Sequence, residues 1–249
     1  MHMKNKGKDR LDKIMVNRGL LKTRERAKAL IMAGKVAVDG KSILKAGTLI
    51  RTDVDIVLRE NDMPFVSRGG LKLDAALKAF CINPREKVVM DIGCSTGGFT
   101  DCVLKKGAHR VYAIDVGYGQ FDWTLRQDQR IVLFEKTNIR HVDKTLFPEE
   151  IDLIVIDVSF ISLLKVLPTA LEFLRGDGTI VALVKPQFEV GKEMVEKGGI
   201  IRDPAQRFSA LSDVCRGAER IGLKTVDTFE SPVHGQKGNI EYFVCLRRR

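Results

Sequence analysis

From Lys87 onward, short apolar runs recur along the chain: "KVVMDI", "RVYAID", "IVLF", "IDLIVID" and "TIVALV", with helical stretches between them. No other feature restricts the fold so strongly. Runs that are apolar at nearly every position suit strands buried on both faces, and such strands belong to a parallel sheet covered by helices on each side. Two later runs, "LKTVDTFES" and "IEYFVCLRR", have a loop but no helix between them. They form a hairpin that sets one antiparallel strand into a seven-stranded, mostly parallel α/β sheet.

The segment before this sheet has a different character. Residues 1–52 carry 14 Lys and Arg against four Asp and Glu, whereas residues 53–249 hold 28 of each, so the whole net charge of +10 is concentrated in the first fifth. Charge gathered on one small segment points to a polyanionic partner. Apolar residues at Leu11, Ile14, Met15 and again at Ala27, Leu30, Ile31 recur at helical spacing, with Gly19 closing the first helix and Thr23 capping the second. "KVAVDGKSI" turns at Asp39-Gly40, a pair that tolerates positive φ, and "DVDIVL" adds a third short strand. A small α+β domain is expected over residues 1–58, a linker over 59–69 containing Pro64 and ending in Gly69-Gly70, and the large α/β domain over 70–249.

At 44% hydrophobic content the chain can fill a proper core. No apolar run is long enough to cross a bilayer, and no apolar core follows the Lys-rich start, so a cytoplasmic protein with no membrane partner is expected. Five cysteines, scattered and without a C-x-x-C pair, read as reduced thiols, and no metal site is expected.

"VVMDIGCSTGGFTD" is the richest motif. Gly93, Ser95 and Gly97 fit the nucleophile elbow of a serine hydrolase, and Ser95, Asp157 and His234 follow in the chain order of that class. The elbow needs earlier strands to supply an oxyanion hole, yet only the basic segment and linker precede this one. A cofactor loop requires instead an acid at the end of the next strand, and Asp115 meets that demand twenty residues on. Ser95 stands where a dinucleotide fingerprint has its second glycine, which disfavours a pyrophosphate and suits an adenosyl cofactor.

Two resemblances refine this reading. RLDxxxxxxGLxxTRxxAxxxIxxGxVxVDG, over residues 9–58, resembles the S-four type RNA-binding domain; it implies a basic face on structured RNA, with Arg10, Lys22, Arg24 and Lys28 as the matching positions. "SRGGLKL", "DIGCSTGGFTD", "AIDVGYGQ", "DVSFISL", "LVKPQFE" and "GNIEYF" together resemble the haemolysin A (TlyA) family of ribosomal RNA 2'-O-methyltransferases, whose catalytic domain is like that of FtsJ. The resemblance implies a Rossmann-like methyltransferase sheet, S-adenosylmethionine as cofactor, and ribosomal RNA or ribosomal subunits as partner, with a cytidine ribose as target.

It also assigns residues. The family's Lys-Asp-Lys-Glu tetrad maps onto Lys72, Asp157, Lys185 and Glu241, with Lys185 making the 2'-hydroxyl more alkoxide-like and Asp157 orienting it. Asp157 and Lys185 each close an apolar strand, where open α/β sheets place their sites. Gly93, Ser95, Gly97 and Gly98 shape the cofactor turn, Phe99 starts the helix, Asp115 holds the ribose, and Asn138 either meets the adenine or is a plain loop residue. Asp157-Val158-Ser159-Phe160 lacks the prolines common in enzymes that methylate base amino groups. Phe65 matches the family's interdomain motif or packs on the neighbouring helix. Residues 188–203 are expected to form a mobile substrate flap, and Phe121 and Trp123 to lie in the core or at the cofactor edge.

Overall fold

A computed structural model describes residues 7–21, 23–32, 34–58, 64–191, 195, 198–235 and 238–249. The chain forms two compact units, residues 1–62 and 63–249. In the first, β1 (Lys8–Arg10) leads into α1 (Leu11–Asn17), followed by α2 (Arg24–Met32), β2 (Val36–Val38), β3 (Lys41–Ser42), β4 (Leu49–Arg51) and β5 (Ile56–Leu58). Leu11, Met15, Ala27, Ile31 and Val36 are fully buried and form its core. Asp39 and Gly40 both take positive φ, 47° and 78°, the combination a two-residue primed turn demands, and β2 pairs antiparallel with β3 and β5. Thr23 Oγ1 accepts the Arg26 N–H at 3.2 Å, and Gly19 at φ 70° ends the first helical stretch. The antiparallel pairing of β1 with β4 was not among the sequence expectations.

The second unit contains α3 (Arg68–Ala79), β6 (Val88–Ile92), α4 (Gly98–Lys105), β7 (Arg110–Ile114), α5 (Trp123–Arg126), β8 (Ile131–Phe134), β9 (Ile151–Ile156), α6 (Leu167–Phe173), β10 (Leu174–Val184), α7 (Pro186–Glu189), α8 (Pro204–Arg220), β11 (Leu223–Glu230) and β12 (Tyr242–Arg248). Its sheet runs β11-β12-β10-β9-β6-β7-β8, parallel except for β12, which is antiparallel to both neighbours. Alternate residues face two separate cores. Val89, Leu153, Val155, Val181, Leu183 and Phe243 cluster with residues of α3 and α4, whereas Met90, Ile154, Ile156, Ile180 and Val244 cluster with residues of α6 and α8. This double burial is why the strands read as unbroken apolar runs.

From β6 the chain first builds outward through β7 and β8, then returns to place β9 on the other side of β6. The order reverses between β6 and β9, and a crevice opens at such a point beyond the strands' carboxyl ends. Gly93 and Asp157, the residues that follow these two strands, therefore meet there.

Two expectations are corrected. Helix α3 begins at Arg68, so Gly69 and Gly70 lie inside its first turn rather than ahead of it; Gly70 is needed for contact, since a Cβ there would lie 2.4 Å from Phe65 Cβ. Phe121 is buried, but Trp123 is 69% exposed and does not belong to the core, because the four-residue α5 turns Leu125 inward instead. The segment 188–203 is described only in part: residues 192–194 and 196–197 lie outside the described residues, while its far end is fastened, with Asn239 accepting the Ile201 N–H at 3.1 Å and donating to the Gly199 carbonyl at 2.8 Å.

Candidate active site

Four charged side chains converge beyond the carboxyl ends of β6, β9 and β10. Lys72 projects from α3 and meets Glu241, the residue just before β12, with Nζ 2.5 Å from Oε2; the two side chains are only 10% and 3% exposed. Lys185 follows β10 and Asp157 follows β9, and Lys185 Nζ lies 2.5 Å from Asp157 Oδ1 as a close ion pair whose angle is not that of a hydrogen bond. Lys185 also donates to Ser159 Oγ at 2.9 Å. All four residues line one cleft of about 350 Å³, with Ser67, Arg68, Gln187, Phe160 and Phe188. Burying such charges is tolerable only because each has an opposite partner.

A second cleft of about 490 Å³ shares Gly93, Ser95, Asp157, Ser159 and Phe160 with the first. Gly93 allows the junction. At φ 85° it occupies a region that favours glycine, and a Cβ there would lie 2.4 Å from the Asp157 carbonyl oxygen. Asp115 stands in this second cleft with both carboxylate oxygens oriented by backbone donors, Oδ2 accepting from Ser95 N–H at 2.7 Å and Oδ1 from Gly117 N–H at 2.6 Å. Gly97 is the N-cap of α4, Gly98 its first residue, and Phe99 is buried behind them. Asn138 lines the cleft, yet its Oδ1 accepts the Arg140 N–H at 3.1 Å and so caps the turn of residues 139–141.

The hydrogen bonds do not assemble a hydrolase triad. Ser95 Oγ pairs with Gln120 at 3.5 Å and Asp157 with Lys185, and among the described residues no hydrogen bond joins His234 to either. Beneath the clefts lies Asp91, wholly buried. Its Oδ2 accepts the Thr100 hydroxyl at 2.6 Å and its Oδ1 has no partner among the described residues. Burial, with the Asp157 and Asp115 carboxylates nearby, pushes the Asp91 carboxyl up to about 7.

Several residues at the site escaped sequence reasoning. Phe160 is 90% exposed, holds φ 64°, and stands 5.0 Å from Phe188 between ring centroids. Ser159, Ser162 and Glu189 tie the loops together, and Gln120 lines the second cleft. Their only sequence signal was membership of "DVSFISL", "LVKPQFE" and "GYGQ". Phe65 is buried against α3 and α4, with Lys105 Nζ 5.5 Å from its ring centroid.

In the first unit, Asp12 is completely buried and accepts from Arg10 Nε and Nη2 and from Arg24 Nη2, each at 3.0 Å. The Arg10 and Arg24 guanidinium groups hold the Asp12 carboxyl down at about 2. Both arginines keep nearly half of their side-chain surface exposed, while Lys28 is half-buried on α2. Lys22 lies outside the described residues. Among the described residues no helix is long and apolar enough to cross a membrane, and no cluster of three His, Cys, Asp or Glu is placed to hold a metal ion.

Comparison with known proteins agrees with this architecture. Residues 9–56 match the model of the S4 domain. The 16S/23S rRNA (cytidine-2'-O)-methyltransferase TlyA of Mycobacterium tuberculosis is 44% identical over 239 residues, covering 96% of this chain and 89% of that protein. Hemolysin A of Brachyspira hyodysenteriae is 42% identical over 234 residues, 94% of this chain and 97% of that one. A solved structure of a candidate hemolysin from Streptococcus thermophilus superposes with a TM-score of 0.75 at 40% identity, covering 98% of this chain and 90% of that chain. Residues 65–248 match the FtsJ-like methyltransferase model, and the chain belongs to that family.

Proposed function

We propose that the protein transfers a methyl group from S-adenosylmethionine to the ribose 2'-hydroxyl of a cytidine in ribosomal RNA. The observation that carries this reading is two ion pairs, the buried Lys72 with Glu241 and the half-buried Lys185 with Asp157, lining one cleft that opens into a second. The second cleft suits the adenosyl cofactor: Gly93 leaves space that a side chain would fill, and the Asp115 carboxylate is oriented to accept from ribose hydroxyls. Gly97, Gly98 and Phe99 set the α4 N-terminus beside the amino-acid tail. When bound, the cofactor supplies an electrophilic methyl.

The remaining work falls to the chain's own groups. A ribose hydroxyl is a poor nucleophile, so it must be held in line and made more alkoxide-like. Lys185 Nζ does this by placing positive charge beside the oxygen, Asp157 keeps that ammonium oriented and accepts the departing proton, and Lys72 with Glu241 completes the charged frame around the ribose. Phe160, exposed at the lip and backed by Phe188, offers a stacking surface for an unstacked base. Residues 1–58 serve as the RNA anchor, joined by residues 59–69 to the catalytic residues 70–249, with Arg10, Lys22, Arg24 and Lys28 supplying positive charge for the phosphates.

Transfer of tritiated methyl to purified ribosomal subunits tests the reading. Lys185→Ala is expected to lower the rate about 100-fold or more while S-adenosylhomocysteine still binds in calorimetry. Transfer by Lys185→Ala at the wild-type rate would remove the central lysine from the mechanism.

A further inference from the structure

Ser162 of "DVSFISL" and Glu189 of "LVKPQFE" take no part in the charge frame, yet the fold brings them together. Glu189 ends α7, four residues past Lys185, and both of its carboxylate oxygens are engaged by the loop after β9: Oε2 accepts the Ser162 hydroxyl at 2.6 Å and Oε1 accepts the Leu163 N–H at 2.9 Å. Burial pushes this carboxyl above its usual range, so the residue is kept at a cost that a mere surface cap would not carry. Three other ties join the same two segments, from Lys185 to Asp157, from Lys185 to Ser159, and between the Phe160 and Phe188 rings. In chain order residues 157, 159, 160 and 162–163 are laced to 185, 185, 188 and 189. Phe160 meanwhile holds a left-handed φ of 64° that a bulky side chain resists, and such strain persists only where the surroundings over-determine it.

We propose that Glu189 is a positioning residue for methyl transfer. Its clasp on Ser162 and Leu163 holds the loop after β9 against the segment after β10, keeping Phe160 over the cleft and Ser159 and Asp157 on Lys185. This rests on the 2'-O-methyltransferase reading above.

The test compares Glu189→Gln, which still accepts the Leu163 N–H and can donate to Ser162 Oγ, with Glu189→Ala, which does neither, and with Ser162→Ala. Each is made in the full chain and assayed for kcat and KM on purified ribosomal subunits. A parallel set in a Phe160→Trp, Trp123→Phe background reports the fluorescence anisotropy of a tryptophan at 160. Glu189→Ala is expected to lower kcat about 100-fold, the scale of a misplacement near 1 Å, and to lower the anisotropy. Glu189→Gln should recover most of both, and Ser162→Ala should cost less in the Glu189→Ala background than in the wild type, the remainder being the bond that its hydroxyl accepts from the Leu164 N–H at 3.2 Å.

Unchanged kcat and anisotropy in Glu189→Ala would overturn the proposal, as would equal losses in the Gln and Ala variants when both are folded. If Glu189→Ala does not fold, Glu189→Asp decides, since its carboxylate is one methylene too short to reach both Ser162 and Leu163: unaltered kcat and anisotropy there refute the clasp. Should the wild-type product prove not to be a ribose methyl, the parent reading falls, while the anisotropy still decides for or against the clasp.

Discussion

Replacing Lys72 by Met separates catalysis from stability at the buried pair. Lys72 and Glu241 meet at 2.5 Å with side-chain exposures of 10% and 3%, so the substitution strands a carboxylate with almost no water to solvate it. Removing one partner of such a pair costs about 3–5 kcal/mol, whereas replacing both by apolar side chains of similar volume is often neutral. In a unit spanning residues 63–249, each kcal/mol moves the melting temperature by roughly 2–4 °C, so Lys72→Met should melt roughly 6–20 °C lower. The double variant Lys72→Met, Glu241→Leu should regain most of that loss and still transfer no methyl group. Thermal unfolding followed by circular dichroism, beside tritium transfer to ribosomal subunits, reads both effects. A single variant destabilised by less than about 1 kcal/mol would contradict the burial argued here, and a double variant that methylates RNA would show that the pair only holds the fold together.

Gly235→Ala should act through Glu241, because a Cβ at Gly235 would lie 2.0 Å from Glu241 Oε1 and 2.6 Å from its Cδ; methyl transfer should fall about 100-fold while calorimetry shows S-adenosylhomocysteine still bound. Asp12, with its carboxyl at about 2 against an ordinary 3.8, contributes about 2 kcal/mol to the first unit. That stability is present above the unfolded value and lost as pH falls through about 2, so hydrogen exchange of the α1 amides should show it in the wild type and not in Asp12→Asn. Asp91 has the opposite sign: its carboxyl is raised to about 7, so its stability is fully present below pH 3.8 and lost as pH rises through 7. Asp91→Asn keeps an acceptor for the Thr100 hydroxyl and should gain up to about 4 kcal/mol at pH 8, flattening the melting temperature between pH 4 and 7.

How far these features could be read in advance depends on the range of the interactions that make them. The strands of the large sheet were legible because burial on both faces leaves its mark within five or six consecutive residues, and Asp39-Gly40 because a primed turn is a property of two neighbours. The β1–β4 pair was hidden: its three-residue strands, KDR and LIR, are mostly exposed and carry no alternation of apolar and polar residues, and their register, Lys8 opposite Arg51, is set by long-range backbone pairing. The α3 start was misplaced because Gly69 and Gly70 suggest a break, while the contact that requires Gly70, the Phe65 ring, is tertiary.

The same distinction holds at the site. Lys72, Asp157, Lys185 and Glu241 stand in recognisable motifs, two of them at strand ends. Their surroundings were not legible, since Glu189 reaches a hydroxyl 27 residues away and Phe160 stays exposed by a backbone angle rather than by its sequence neighbours. Arg10 and Arg24 read as positions on a basic face, but they share the buried Asp12, and the Arg24 bond appears only when α1 and α2 are brought together.

The central claim is the atom that receives the methyl group. Ribosomal RNA from cells with and without the protein, digested to nucleosides and examined by mass spectrometry, addresses it directly. A 2'-O-methylcytidine present only when the wild-type protein is present, and absent when Lys185→Ala replaces it, is the predicted result. A methyl found on a base, or identical ribose methylation with and without the protein, would contradict the account.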